Sequence, residues 1–189
     1  MKSGEPQPFK PTKEQLAAAA HQTLPDLIAS DLRVLFCGIN PGLYTTAIGH
    51  HFGRPGNRFW PALHGSGFTP TLVSPWHERE LLKLGLGITN VVSRTTAVAA
   101  DLTANEYVEG GLRLRATVER YRPKVLAVLG VTAYRSAFRA PKATLGLQAG
   151  KIFETSLWVI PNPSGLNANY QLPDLIRLYG ELRDWVESH

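Results

Sequence analysis

A chain of 189 residues is long enough to bury one layered core and short of the length at which domains multiply. Its 43% hydrophobic and 19% charged residues exclude a fibrous or disordered chain, and 17 Gly with 14 Pro point to an α/β protein whose turns matter. The single cysteine, Cys37, excludes an intrachain disulfide, an iron–sulfur cluster and a multi-cysteine zinc site, while the net charge of +5 suits a polyanionic partner without requiring one.

Residues 1–25 are expected to form an N-terminal tail with a short helix, and residues 26–189 a single domain. Pro6, Pro8 and Pro11 prevent a regular helix over residues 2–12, which read as a mobile tail. The alanines of residues 13–22 favour a helix that Pro25 redirects. The apolar stretch at residues 16–20 is too short for a secretory leader, and no run approaches the ~20 apolar residues of a membrane span, so a cytoplasmic setting is expected. Beyond residue 30, short apolar runs alternate with longer amphipathic ones, the pattern of parallel strands joined by crossover helices. Strands are predicted at residues 34–39, 87–91, 125–129 and 157–160, and helices at 57–63, 76–84, 104–121 and 172–187. The helix at 104–121 keeps its spacing through Leu112, Ala116 and Glu119 with Val118, although Gly110 and Gly111 weaken its middle. No internal repeat is present.

Two proline-containing turns follow the first and last strands: Gly38-Ile39-Asn40-Pro41-Gly42 and Asn162-Pro163-Ser164-Gly165. In an open parallel sheet the carboxyl ends of the strands share one edge, where ligands bind, so the two turns are expected to meet in one site. Pro41 forces Asn40 out of the helical region, and the flanking glycines permit a tight turn with exposed backbone groups. A lone Asn-Pro-Gly is more often a plain strand-ending turn, a lone Phe52 a core aromatic, and a lone Asn90 a turn residue.

The ordered set changes that weighing. Leu35-Phe36-Cys37-Gly38-Ile39-Asn40-Pro41-Gly42-Leu43, then Gly49-His50-His51-Phe52, then Pro55-Gly56-Asn57-Arg58-Phe59-Trp60, and finally Asn162-Pro163-Ser164-Gly165-Leu166 resemble the mismatch-specific uracil-DNA glycosylases of bacteria and the thymine-DNA glycosylases of eukaryotes. The resemblance runs from about Arg33 to about Glu181. It implies a three-layer α/β/α fold with a mainly parallel sheet. It also implies hydrolytic excision of uracil, with thymine and modified cytosine left open as further substrates, from double-stranded DNA with G:U or G:T mismatches; a monomer is expected, without a metal or other cofactor and without a membrane partner. By the same resemblance Asn40 holds the attacking water, Ile39 and Phe52 border the base pocket, with Phe52 stacking on the base, and Asn90 reads the pyrimidine edge; Gly42, Thr45 and His51 are further base-pocket candidates, the last two as neighbours that tune the choice of base. Ser164, Gly165 and Leu166 match the loop that enters the duplex, Leu166 filling the vacated space. Asn167 stands where bacterial members often have serine.

The pattern breaks at Ser93, where the family commonly carries an acidic residue; a hydroxyl can bond a water but cannot stabilise a cationic sugar by charge. Asp101 is a substitute candidate, and Arg94 is the best phosphate contact. Arg113, Arg115, Arg120 and Arg122 read mainly as a solvated helix face. His50-His51 lacks the partners of a metal site, and Ser164 lacks a nucleophile elbow. Two other classes stay open: a damage-binding module with little turnover because of Ser93, and a small-molecule nucleoside hydrolase, which would have no use for Leu166.

Overall fold

The computed structural model describes residues 8–189, so most of the expected N-terminal tail, residues 1–7, lies outside the described residues. A five-stranded sheet forms the centre: β1 (Val34–Gly38), β2 (Leu86–Asn90), β3 (Val125–Leu129), β4 (Gly146–Ile152) and β5 (Thr155–Ile160), in the order β2-β1-β3-β5-β4. All neighbours are parallel except β4, which runs antiparallel to β5. The helices are α1 (Lys13–Ala18), α2 (Leu43–Ile48), α3 (Phe59–Gly65), α4 (Glu80–Lys83), α5 (Ala104–Tyr121), α6 (Val131–Phe138) and α7 (Leu172–Ser188).

The apolar strand runs arise because both sheet faces are covered. Val34 and Phe36 of β1, Val125 and Ala127 of β3, and Trp158 and Ile160 of β5 point to one face, where α3 and α7 supply Phe59, Leu63, Leu175 and Tyr179. The intervening residues Leu35, Cys37, Leu126, Val128, Leu157 and Val159 meet Leu114 and Val118 of α5 and Ala133 and Tyr134 of α6. The expected α/β/α layering with a mainly parallel sheet is therefore present. Burial pushes the Cys37 thiol well above its ordinary pKa, so it stays a neutral core group.

The predicted strands and the two long helices lie within two residues of those observed, and α5 has the predicted bounds. Four differences separate the observed elements from those expected. The edge strand β4, Gly-Leu-Gln-Ala-Gly-Lys-Ile, is mostly exposed and its register is broken between Leu147 and Lys151, so it carries no hydrophobic period. The short α2 and α6 follow Gly42 and Gly130 without a side-chain cap, which leaves no start signal. The helix expected at 76–84 is divided into a 3-10 turn at Pro75–His77 and α4. The helix predicted over 13–22 stops at Ala18 although Thr12 and Gln15 close a reciprocal capping box at its N-terminus.

The chain enters β2 on one side of β1 and returns through α5 to β3 on the other, which makes the β1/β3 junction a topological switch point. A crevice of about 490 Å³ opens there. Ile39 and Gly130 line it at the ends of β1 and β3, with Pro161 and Asn162 after β5. The two proline turns thus face one cavity.

Candidate active site

Beyond β1 the backbone clamps onto the exit of β2: Val91 and Val92 donate to the Gly38 and Ile39 carbonyls at 2.8 and 2.9 Å, and Thr96 donates to Pro41 at 3.2 Å. Asn40 fastens the same two segments with its side chain. Its Nδ2 donates to the carbonyls of Pro41 (3.2 Å) and Arg94 (3.0 Å) and to Thr96 Oγ1 (2.8 Å). The Thr96 hydroxyl proton is given to the Val98 carbonyl at 2.8 Å, so every neighbour of Nδ2 is an acceptor and the amide has one permitted orientation. The Oδ1 of Asn40 makes no hydrogen bond among the described residues and is left as a fixed acceptor.

Gly38, the last residue of β1, forms the floor beside it. A Cβ built there would lie 2.6 Å from Asn90 Oδ1 and 3.3 Å from the Phe52 ring, so only glycine lets these two side chains converge. Asn90 is 6% exposed, and its side-chain amide has no protein partner among the described residues. Phe52 stacks on Phe59 at 4.1 Å between centroids, and it has φ +49, a left-handed conformation that costs a non-glycine residue energy. Gly38, Phe52 and Asn90 make a flat pocket wall with an apolar face and a free amide edge. Ile39 packs against Gly130, where a Cβ would meet it at 3.3 Å. Of the remaining pocket candidates, Gly42 precedes α2 and pairs with Thr96, Thr45 is buried within α2, and His51 turns its ring to Glu78.

Glu78 has no signal in the sequence. It is buried and holds the loop leading to Phe52: one oxygen accepts from the His51 backbone N–H (2.8 Å) and bonds His51 Nδ1 (3.0 Å), and the other bonds His50 Nδ1 (3.2 Å). Burial pushes the carboxyl upward, but the hydrogen bonds and charge of His51 and the bond from His50 outweigh it and leave the pKa below the ordinary range. His51, 3% exposed, keeps an Nε2 without a partner among the described residues.

The loop after β5 is held from within and from outside. Asn162 Oδ1 accepts the Ser164 N–H at 3.0 Å, Ser164 Oγ accepts the Leu166 N–H at 3.2 Å, and Asn167 Nδ2 returns to the Asn162 carbonyl at 2.9 Å. Arg58 braces it across the molecule, donating to the carbonyls of Asn167 (2.9 Å), Tyr170 (2.7 Å) and Gly165 (3.2 Å). Gly165 passes so close to the Gly56 carbonyl that a Cβ would sit 2.6 Å from it. At the tip of this rigid loop Leu166 is 72% exposed, an apolar side chain with nothing over it.

Ser93 lines a separate cavity of about 230 Å³ with Arg94, Glu106, Glu109 and Arg113. Arg94 forms a fork with Glu106, at 2.7 Å from Nε and 3.1 Å from the second nitrogen, so contacting a phosphate would require it to exchange partners. The Arg94 hydrogen bond and the Thr103 backbone N–H hold the Glu106 carboxyl down to about 2, which keeps the pair ionised at neutral pH. The Asp101 carboxylate accepts the Val98 N–H at 3.3 Å and so caps its own turn. Arg113 differs from a solvated helix cation, since it donates to the carbonyls of Asn90 and Val91 at 2.7 Å each and braces the end of β2.

The structure thus brings Ile39, Asn40, Phe52 and Asn90 to the carboxyl edge of the sheet, with the loop Ser164–Asn167 beside them, while Ser93 and Arg94 open to the α5 side. The family model of the Uracil DNA glycosylase superfamily matches residues 25–183, from the segment before β1 into α7. That match covers most of the chain and includes both proline turns, the sheet and the loop bearing Leu166. Members of this superfamily are DNA glycosylases, hydrolases that act on DNA in its repair, and the chain belongs to the uracil DNA glycosylase superfamily.

Proposed function

We propose that the protein is a monofunctional DNA glycosylase that flips uracil out of mismatched duplex DNA, foremost opposite guanine, and hydrolyses its glycosidic bond to leave an abasic site. The observation that carries this reading is the fixed Oδ1 of Asn40, without a partner among the described residues, two positions beyond the glycine on which Phe52 and Asn90 converge. An amide cannot deprotonate water at neutral pH, so Asn40 orients the nucleophile. The C1′–N1 bond breaks with its electron pair leaving on the base, the sugar becomes oxocarbenium-like, and the held water adds at C1′ and releases a proton to solvent. Phe52 stacks on the ring, and the unpartnered Asn90 amide supplies a donor and an acceptor for the polar edge of a pyrimidine. No lysine nucleophile is required.

Flipping costs a few kcal/mol, and less at a mismatch. Leu166 offsets part of that cost by occupying the vacated stack, as apolar wedges do in other DNA-deforming proteins. Its side chain is mostly exposed, so Leu166→Ala is expected to leave thermal stability within about 0.5 kcal/mol. The same variant should weaken binding to a G:U duplex about tenfold. Equal affinity for the two proteins would remove the wedge role.

A damage-binding protein with little turnover is the second reading, and Ser93 favours it, because its hydroxyl brings no charge to the position where relatives carry an acid. Ser93→Asp is expected to raise the single-turnover rate of base release; an unchanged or lower rate would show that serine is no deficiency here. The test of the whole proposal is release of free base under enzyme excess from duplexes carrying G:U, G:T and A:U pairs. Release of uracil, fastest opposite guanine, supports the glycosylase, and tight binding without release supports the second reading.

A further inference from the structure

Next to the pocket wall lies a groove that shares Phe52 with it and otherwise consists of residues to which the glycosylase reaction gives no role. It has a volume of about 430 Å³, within the roughly 300–1000 Å³ of ligand sites. Tyr44 of α2, Trp60 of α3 and Trp76 of the 3-10 turn line it, and Phe9 closes one end with its ring 5.4 Å from that of Trp76. Phe52 belongs to this groove and to the base pocket alike. The cations Lys10 and Arg54 stand along it, and no acidic residue lines it. Neither cation forms an ion pair among the described residues. Trp60 is buried, and its indole N–H has no acceptor among them.

The groove does not end blindly. Arg54, Pro55 and Asn57 also line a second cavity of about 250 Å³, whose far wall is Ser164, Gly165 and Leu166. The two cavities therefore share one wall, and Arg54 stands between the wedge tip and the aromatic cluster. Aromatic faces accept any base by stacking, and a cationic lining free of acids tracks a phosphate backbone; their combination is how single-stranded nucleic acid is held without sequence preference. A paired duplex offers its bases only in the grooves and could not stack them on Trp76.

We infer that this groove binds unpaired nucleotides flanking the extruded base on the damaged strand, stacking them on Trp76 and Tyr44, and that the protein therefore binds single-stranded as well as duplex DNA. The identity of the strand rests on the glycosylase reading; the affinity for unpaired DNA does not.

The test is fluorescence anisotropy with a labelled, uracil-free oligothymidine of about 12 nucleotides, within the usual site sizes, against a fully paired duplex of the same length. Wild-type protein binds the single strand. Trp76→Ala and Tyr44→Ala each weaken it by about five- to a hundredfold and change duplex affinity less than about twofold, while Trp76→Phe recovers most of the loss. Arg54→Gln, at an exposed position, flattens the salt dependence of single-strand binding by about one unit of slope. Failure of the wild type to bind oligothymidine would overturn the inference. So would variants that bind it as the wild type does, or that lose single strand and duplex in equal proportion. Base release from the G:U duplex, measured on the same preparations, separates the two readings: selective loss of single-strand affinity without base release would leave the groove standing and sink the glycosylase, and the converse would do the reverse.

Discussion

Asn40→Ala is expected to lower single-turnover release of uracil from a G:U duplex on the order of 100-fold or more, since even a 1 Å misplacement of a reacting group costs about that much. Affinity for the duplex should change little, because the amide makes its own bonds to protein acceptors with Nδ2 and only Oδ1 is left without a partner among the described residues. Some stability is lost as well, about 1 kcal/mol, as the tie between the Pro41 turn and the Arg94–Thr96 segment is removed. Asn40→Asp tests the same geometry from the other side. A carboxylate would be the stronger base, yet one of its oxygens would lie against the carbonyls of Pro41 and Arg94, which now accept from Nδ2 at 3.2 and 3.0 Å. The aspartate variant is therefore expected to be no faster than the alanine variant at neutral pH. A rate near that of wild type in the alanine variant would take Asn40 out of the reaction, and one in the aspartate variant would show that the acceptors around Nδ2 do not dictate the geometry.

The difference between what these residues do and what could be read of them in the sequence has a physical pattern. Strands buried on both faces are visible as uninterrupted apolar runs, so Val34–Gly38 and Val125–Leu129 stand out, whereas the exposed edge strand β4 has no such signature. The candidate site residues that can be named from sequence, Asn40, Phe52 and Leu166, sit in an ordered set of motifs whose resemblance to a family carries more than any one of them does alone. Those that could not be named act across long sequence distances on partners without identity. Arg58 binds three backbone carbonyls more than a hundred positions away, and carbonyls leave no trace in a sequence. Glu78 reaches back to His50 and His51 from a short turn with no periodicity. Arg94 shows the converse: its charge was legible, but the carboxylate that occupies it, twelve positions on in α5, was not.

The sharpest case is the glycine pair in α5, which weakens the helix on propensity alone. In an isolated helix, Gly→Ala would be favourable by about 1 kcal/mol. Here a Cβ on Gly110 would be driven into the Val91 carbonyl and one on Gly111 into that of Ala137, and both obstacles are backbone that no rotamer change can move. The helix lies so close because both positions lack a side chain. Gly110→Ala is expected to cost about 3 kcal/mol, the upper range of overpacking and well above the propensity gain, and so to lower the melting temperature by on the order of 10 °C. The damage should reach the site, because Val91 donates to the Gly38 carbonyl at 2.8 Å and accepts from Arg113 at 2.7 Å. Shifting it disturbs the segment whose Arg94 carbonyl fixes the Asn40 amide. Gly180 of α7 provides the control, since a Cβ there meets nothing within 4 Å, and Gly180→Ala should stabilise the protein by about 0.5–1 kcal/mol. Denaturant midpoints that move in opposite directions for the two variants, with base release lost only in Gly110→Ala, would establish close packing as the role of Gly110. Midpoints that rise together would mean that α5 can move away from β2 without cost, and that the site does not depend on the helix behind it.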